Sequence, residues 1–113
     1  MIYIIEDDLD FAKCLERYCD KENIKTFSNA IEAMNSIDKY FPDLIFLDIL
    51  LSGPDGFTFL NELVSYSDTA KIPVVIISSL DLKNRPLESY GVVKVLDKTT
   101  MTPKDIKEAL QNA

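Results

Sequence analysis

The chain has 113 residues, enough for one compact domain and too few for two. Hydrophobic residues make up 47% and charged residues 27%, the balance of a soluble globular protein rather than a disordered one. The formal net charge is −7 and no basic segment stands out, which argues against direct nucleic-acid binding, and no apolar run approaches the ~20 residues of a membrane helix. Met1 leads straight into Ile2-Tyr3-Ile4-Ile5 without a basic n-region or a small-residue cleavage site, so a cytoplasmic location is expected. The sequence contains no histidine, which excludes Ser-His-Asp and Cys-His catalysis and histidine-rich zinc sites.

In chain order, Ile2–Ile5 is a short apolar run ending in acids, the pattern of a buried strand. Leu9–Asp20 has helical spacing, with Phe11, Ala12, Cys14, Leu15, Tyr18 and Cys19 towards the core. The two cysteines diverge too far around that helix for an unstrained disulfide, and both read as small core hydrophobes. Ile24–Phe27 is a second strand. Asn29 caps the next helix, with Glu32 as its capping-box partner, and Ile31, Met34, Ile37 and Tyr40–Phe41 follow before Pro42 stops it. Asp43–Asp48 is a buried strand, Ser52–Gly56 a loop, and Phe57–Tyr66 a helix. Pro73–Ile77 is rich in β-branched residues and reads as the most buried strand. Leu80–Tyr90 is interrupted by Pro86 and leaves room only for a short helix over Pro86–Tyr90. Val92–Leu96 is the last strand, and Thr102-Pro103 opens the last helix, with Asp105 near its positive end.

Strands apolar on both faces, alternating with helices, predict an α/β fold with a parallel sheet covered on two sides. Right-handed crossovers then give a doubly wound, flavodoxin-like sheet of order 2-1-3-4-5, whose functional groups gather at the carboxyl ends of the strands. Those ends are polar here: Glu6-Asp7-Asp8, Asp48, Ser78-Ser79 and Asp97-Lys98. Crowded carboxylates repel one another unless a cation joins them, and magnesium favours a few carboxylates plus water and phosphate oxygens. A carboxylate held in such a place can attack a phosphoryl group to give an acyl phosphate.

The runs Ile4–Asp8, Asp43–Gly56, Pro73–Ser79 and Gly91–Lys98, in this order and spacing, resemble the receiver domain of two-component response regulators over essentially the whole chain. The resemblance implies that Asp48 is the phosphoacceptor, with Ser78 the switch hydroxyl and Lys98 the lysine that pairs with a phosphoryl oxygen. It implies Mg2+ held by Asp7, Asp48 and the backbone carbonyl of Leu50, with Glu6 acting nearby through water. Asp8 has a supporting role. A histidine kinase or phosphotransfer protein would supply the phosphoryl group, and an output domain or protein partner would read it, without nucleic acid or membrane. The domain would not be an enzyme beyond its own phosphorylation and dephosphorylation, and no output domain is expected within the 113 residues.

Four positions depart from the family pattern, and the stretch from Ser78 to Lys98, with Pro86 inside it, is short. Thr99 replaces the usual proline after the lysine, so the usual cis bond is not expected there. Val95 replaces a switch aromatic, which predicts changes on phosphorylation confined mainly to the loops after Asp48, Ser78 and Lys98. Leu50 and Leu80 stand where receivers flank the path of the hydrolytic water, which predicts slow dephosphorylation. Rival readings fit less well. A haloacid-dehalogenase-type phosphatase needs an aspartate where Leu50 stands, and a flavin carrier needs a phosphate loop where the acids stand. A phosphorylation-independent pseudo-receiver remains the alternative.

Overall fold

The computed structural model describes residues 1–19, 23–51, 56–79 and 87–111. Among them the elements run β1 (Ile2–Ile5), α1 (Leu9–Tyr18), β2 (Ile24–Phe27), α2 (Ala30–Ile37), β3 (Leu44–Asp48), α3 (Gly56–Val64), β4 (Val74–Ser78), β5 (Val92–Asp97) and α4 (Pro103–Gln111). Short 3-10 turns at Thr69–Lys71 and Glu88–Tyr90 precede β4 and β5. The strands are all parallel, in the order β2-β1-β3-β4-β5, so the doubly wound topology read from the alternation is the one observed.

The central strands β1, β3 and β4 are buried along their whole length, which their continuous apolar runs anticipate. Alternate residues serve opposite faces. Tyr3, Ile5, Ile45, Leu47 and Ile76 form one core with Ala33 and Ile37 of α2 and Phe59, Leu60 and Leu63 of α3. Ile2, Ile4, Phe46, Val75 and Ile77 form the other with Ala12 and Leu15 of α1 and Ile106 and Ala109 of α4. Each of the buried Ile, Leu, Val and Phe side chains contributes about 1.5–3 kcal/mol by leaving water. The edge strands β2 and β5 are only partly covered.

Local signals set the helix starts. Asp8 caps α1 by accepting from the backbone N–H groups of Asp10 and Phe11, and Asn29 caps α2 through the N–H of Glu32 at 2.9 Å. Thr102 and Asp105 form a reciprocal box at α4: the Thr102 N–H donates to Asp105 Oδ2 at 2.8 Å, and the Asp105 N–H to Thr102 Oγ1 at 3.4 Å. Gly91 leads into β5, and its φ of 77° is open to glycine at little cost; a Cβ there would sit 3.2 Å from the Ile72 carbonyl oxygen.

Several expectations need correction. Cys19 is buried, but Cys14 is exposed. The core positions of α1 are Ala12 and Leu15, and Cys14 lies about 200° around the helix from Ala12, on the solvent side. Helix α2 ends at Ile37, not beyond Tyr40, and Ile31 on it is exposed. Pro42 disfavours helical backbone at Phe41, and the Tyr40 carbonyl instead accepts the Tyr3 hydroxyl. Helix α3 stops at Val64. The segment before β5 contributes the single turn Glu88–Tyr90, while residues 80–86, including Leu80 and Pro86, lie outside the described residues. Asp20 and residues 52–55 of the loop before Gly56 lie outside them too.

The cysteine placement has a direct test. In the native protein one thiol, Cys14, reacts at the rate of an accessible cysteine, and Cys19 reacts only as fast as the domain opens. Timed thiol labelling of wild type beside Cys14→Ser checks this; two equally fast thiols would contradict the burial of Cys19.

Candidate functional site

Parallel pairing decides which side chains meet at the carboxyl rim. Ile5 is level with Leu47 and Asp48 with Ile77, so the residues following β1 emerge beside the end of β3. Ser78 ends β4 level with Asp97 on β5, and the Lys98 N–H donates to the Ser78 carbonyl at 2.9 Å. The fold thus brings Glu6, Asp7, Asp48, Ser78 and Lys98, all expected from the sequence, to one rim.

Glu6 and Asp48 are both buried, at 2% and 6% exposure, whereas Asp7 reaches solvent. Carboxylate oxygens of the three lie within 4.8 Å of one another. The Asp48 oxygens have separate partners: Oδ1 accepts the Leu50 N–H at 3.0 Å, and Oδ2 faces Lys98 Nζ at 3.4 Å. Lys98 lies closer to Glu6, with Nζ 2.5 Å from Oε1. That contact is an ion pair outside hydrogen-bond geometry, so Glu6 Oε1 is the buried side-chain oxygen left without a hydrogen-bond donor among the described residues. Burial, above all, and then the adjoining Asp48 carboxyl push the Glu6 pKa up to about 7, and Lys98 offsets this only in part. Burial of Lys98 favours its neutral form, but the carboxylates of Glu6 and Asp48 outweigh it, and its pKa is raised.

The backbone around these groups is pinned. The Asp97 side chain accepts from Thr99 N–H at 2.8 Å and from Thr99 Oγ1 at 2.7 Å, bonds that lower the Asp97 pKa and fix the turn carrying Lys98. The Lys98–Thr99 bond is trans, as Thr99 in place of proline led us to expect. Ser78 is 1% exposed. Leu50 is 52% exposed and Val95 42%, both side chains turned towards solvent.

Two residues escaped the sequence reading. A Cβ on Gly56 would fall 2.7 Å from Ile49 Cα and 3.1 Å from the Asp48 carbonyl oxygen, so the start of α3 can lie against the residue after Asp48 only as glycine. Phe11, read as a core residue, places its ring centroid 4.5 Å from Lys98 Nζ.

The residues present fit a divalent cation. Three clustered carboxylates face one ammonium, and a buried Glu6 oxygen lacks a hydrogen-bond donor. Hard oxygen donors of this kind suit magnesium.

The raised Glu6 pKa has a defined consequence. The folded chain keeps a proton that the unfolded chain releases near pH 4.5, so the stability linked to Glu6 is complete below pH 4.5 and is lost as pH rises through about 7. Metal-free protein accordingly melts lower at pH 8 than at pH 5, by several degrees at ~4–8 °C per kcal/mol. Glu6→Gln flattens this dependence, and millimolar magnesium raises the melting temperature more at pH 8 than at pH 5. Circular-dichroism melts over this range check it; a wild-type curve flat from pH 5 to 8 would contradict it.

Known proteins agree with this geometry. The family model described as the response regulator receiver domain matches residues 2–111. The transcriptional regulatory protein KdpE of Staphylococcus aureus is 37% identical over 102 residues, covering 85% of this chain and 38% of its own length. The probable transcriptional regulator ycf29 of the alga Porphyra purpurea is 27% identical over 93 residues, covering 80% of this chain and 44% of its own. The chain therefore spans less than half the length of these curated relatives. Among solved structures, the BeF3-activated N-terminal receiver domain of Klebsiella pneumoniae RstA is similar with a TM-score of 0.82 at 28% identity, covering 98% of this chain and 95% of that one.

Proposed function

The chain belongs to the response regulator receiver family, and from that premise we propose that it accepts a phosphoryl group on Asp48. The observation that carries this reading is the state of the Asp48 carboxylate: buried, held at Oδ1 by the Leu50 N–H and faced at Oδ2 by Lys98. A carboxylate oriented in this way presents one oxygen for attack while its neighbours accept the charge that arrives. An Asp48 oxygen forms the new bond to phosphorus as the phosphohistidine N–P bond breaks, and the departing imidazole nitrogen takes up a proton. These 113 residues contain no histidine, so the phosphohistidine lies outside them, on a histidine kinase or phosphotransfer protein, and a small phosphodonor can take its place.

Lys98 neutralises one phosphoryl oxygen, and the Ser78 hydroxyl donates to another. Asp7, Asp48 and the Leu50 carbonyl would hold Mg2+, with Glu6 acting through water, and the bound ion would offset the remaining charge on the phosphoryl oxygens. Both relatives named above are called transcriptional regulators, and the match covers less than half of each, which supports an output domain or protein partner as the reader of the phosphorylated state. Val95 is small and faces solvent on β5, so we place the resulting changes in the loops after Asp48, Ser78 and Lys98.

With magnesium and acetyl phosphate, intact-mass measurement should show one added phosphoryl group on wild type and none on Asp48→Asn. Asp7→Asn should label more slowly and bind magnesium more weakly. Labelling equal in wild type and Asp48→Asn, or absent from both, overturns the reading; the second result favours a phosphorylation-independent interaction module.

The exposed Leu50 side chain stands two residues beyond Asp48 and offers no hydrogen bond to a hydrolytic water. The phosphorylated form should therefore persist, and Leu50→Asn should shorten its lifetime several-fold, below the ~10²-fold of a full general acid–base group. Phosphate release followed over time decides this, and equal decay of the two proteins removes Leu50 from the explanation.

A further inference from the structure

We infer that Phe11 is a positioning residue for Lys98, its ring holding the ammonium at the rim while the ammonium changes partners; this rests on the phosphoacceptor reading of Asp48. Lys98 Nζ has three neighbours: Glu6 Oε1 at 2.5 Å, Asp48 Oδ2 at 3.4 Å and the Phe11 ring at 4.5 Å from its centroid. The ammonium has three N–H donors, and a phosphoryl group on Asp48 would add new acceptors beside it, so its division between the two carboxylates would shift. The ring contact does not depend on that exchange.

The ring is well placed to stay still. Phe11 lies in the first turn of α1, and its own N–H donates to the capping Asp8 Oδ1 at 3.2 Å, so the helix that begins after Asp7 fixes its backbone. The side chain packs on the α1–α4 core and is half-buried. Its face attracts a cation through the ring quadrupole, and more strongly where water is partly displaced. Lysine is a flexible point charge with a costly rotamer entropy, so a fixed attractive face narrows where its ammonium is found. A merely structural Phe11 would pack on the same core without affecting Lys98.

The test separates packing from the ring's field. Phe11→Leu keeps an apolar side chain of similar reach and removes the π face; Phe11→Tyr keeps the face. We expect Phe11→Leu to label from acetyl phosphate roughly 3-fold to 10-fold more slowly at saturating magnesium. Magnesium affinity and melting temperature should stay near wild type, and Phe11→Tyr should recover the rate. Proton NMR of the Lys98 side chain should show an upfield ring-current shift in wild type and Phe11→Tyr, lost in Phe11→Leu. Labelling by Phe11→Leu at the wild-type rate, or by Phe11→Tyr at the Phe11→Leu rate, overturns the inference, as does an unshifted Lys98 in wild type. If wild type does not label at all, it is the phosphoacceptor reading that fails, and the Lys98 shift still decides whether the ring holds the ammonium.

Discussion

Two carboxyl groups buried side by side constrain everything else at the rim. Glu6 follows β1 and Asp48 ends β3, neighbouring strands that run the same way with Ile5 level with Leu47, so the topology itself brings the two acids together. An uncompensated pair of this kind is unstable: either a proton stays on one of them, which is what the raised Glu6 pKa expresses, or a cation sits between them. Lys98 supplies that cation from the far side of β4, and it must be long and flexible to reach across. The local conflict is thus built into the sheet and relieved by groups that can move.

The surrounding backbone, by contrast, is held by short-range bonds that leave little freedom. Asp8 caps α1 immediately after Asp7, the Leu50 N–H returns to Asp48, and Asp97 grips Thr99 on the other side of Lys98. Gly56 lets α3 start in contact with the backbone that follows Asp48. Each acidic or cationic group at the rim therefore has a neighbour whose hydrogen bond or close approach fixes the main chain, while its charged atoms are left to electrostatics. Preorganised main chain with adaptable charge is the arrangement that lets a site accept a dianionic group without rebuilding itself.

What could be read from sequence follows from this division. Ile2–Ile5, Leu44–Asp48 and Val74–Ser78 announce themselves as buried strands by unbroken apolar runs, and the polar residue closing each run marks the rim. Strand order and the gathering of Glu6, Asp7, Asp48, Ser78 and Lys98 then follow from topology rules. Cys14 was misplaced because spacing alone cannot separate neighbouring faces of a short helix whose register depends on the Asp8 cap. The spacing of Tyr40 and Phe41 continues the apolar series of α2, but the helix ends at Ile37 and Pro42 acts one residue earlier than its own position. Gly56 and Phe11 were missed for a different reason: their roles depend on distances between distant segments. The one available signal for Phe11 was its place in the first turn after Asp7, a turn that has to border the rim.

The resting pairing of Lys98 also says what the charged groups have to give up. Its Nζ is 2.5 Å from Glu6 and 3.4 Å from Asp48, so in this structure the lysine lies nearer to the acid that is not the proposed phosphoacceptor. Burial alone would make the Glu6–Lys98 pair rigid, yet Lys98 keeps about a fifth of its side chain exposed, at 22%, and the contact lacks hydrogen-bond geometry. Such a pair is worth little net free energy, because the cost of taking the two charges out of water offsets their attraction and the flexible lysine loses entropy in holding it. A phosphoryl oxygen, carrying more charge than a carboxylate that is itself half-protonated near pH 7, is the stronger partner. On the proposed phosphorylation of Asp48, moving Lys98 from Glu6 towards Asp48 would be downhill, and the weakness of the resting pair is what would make the exchange available.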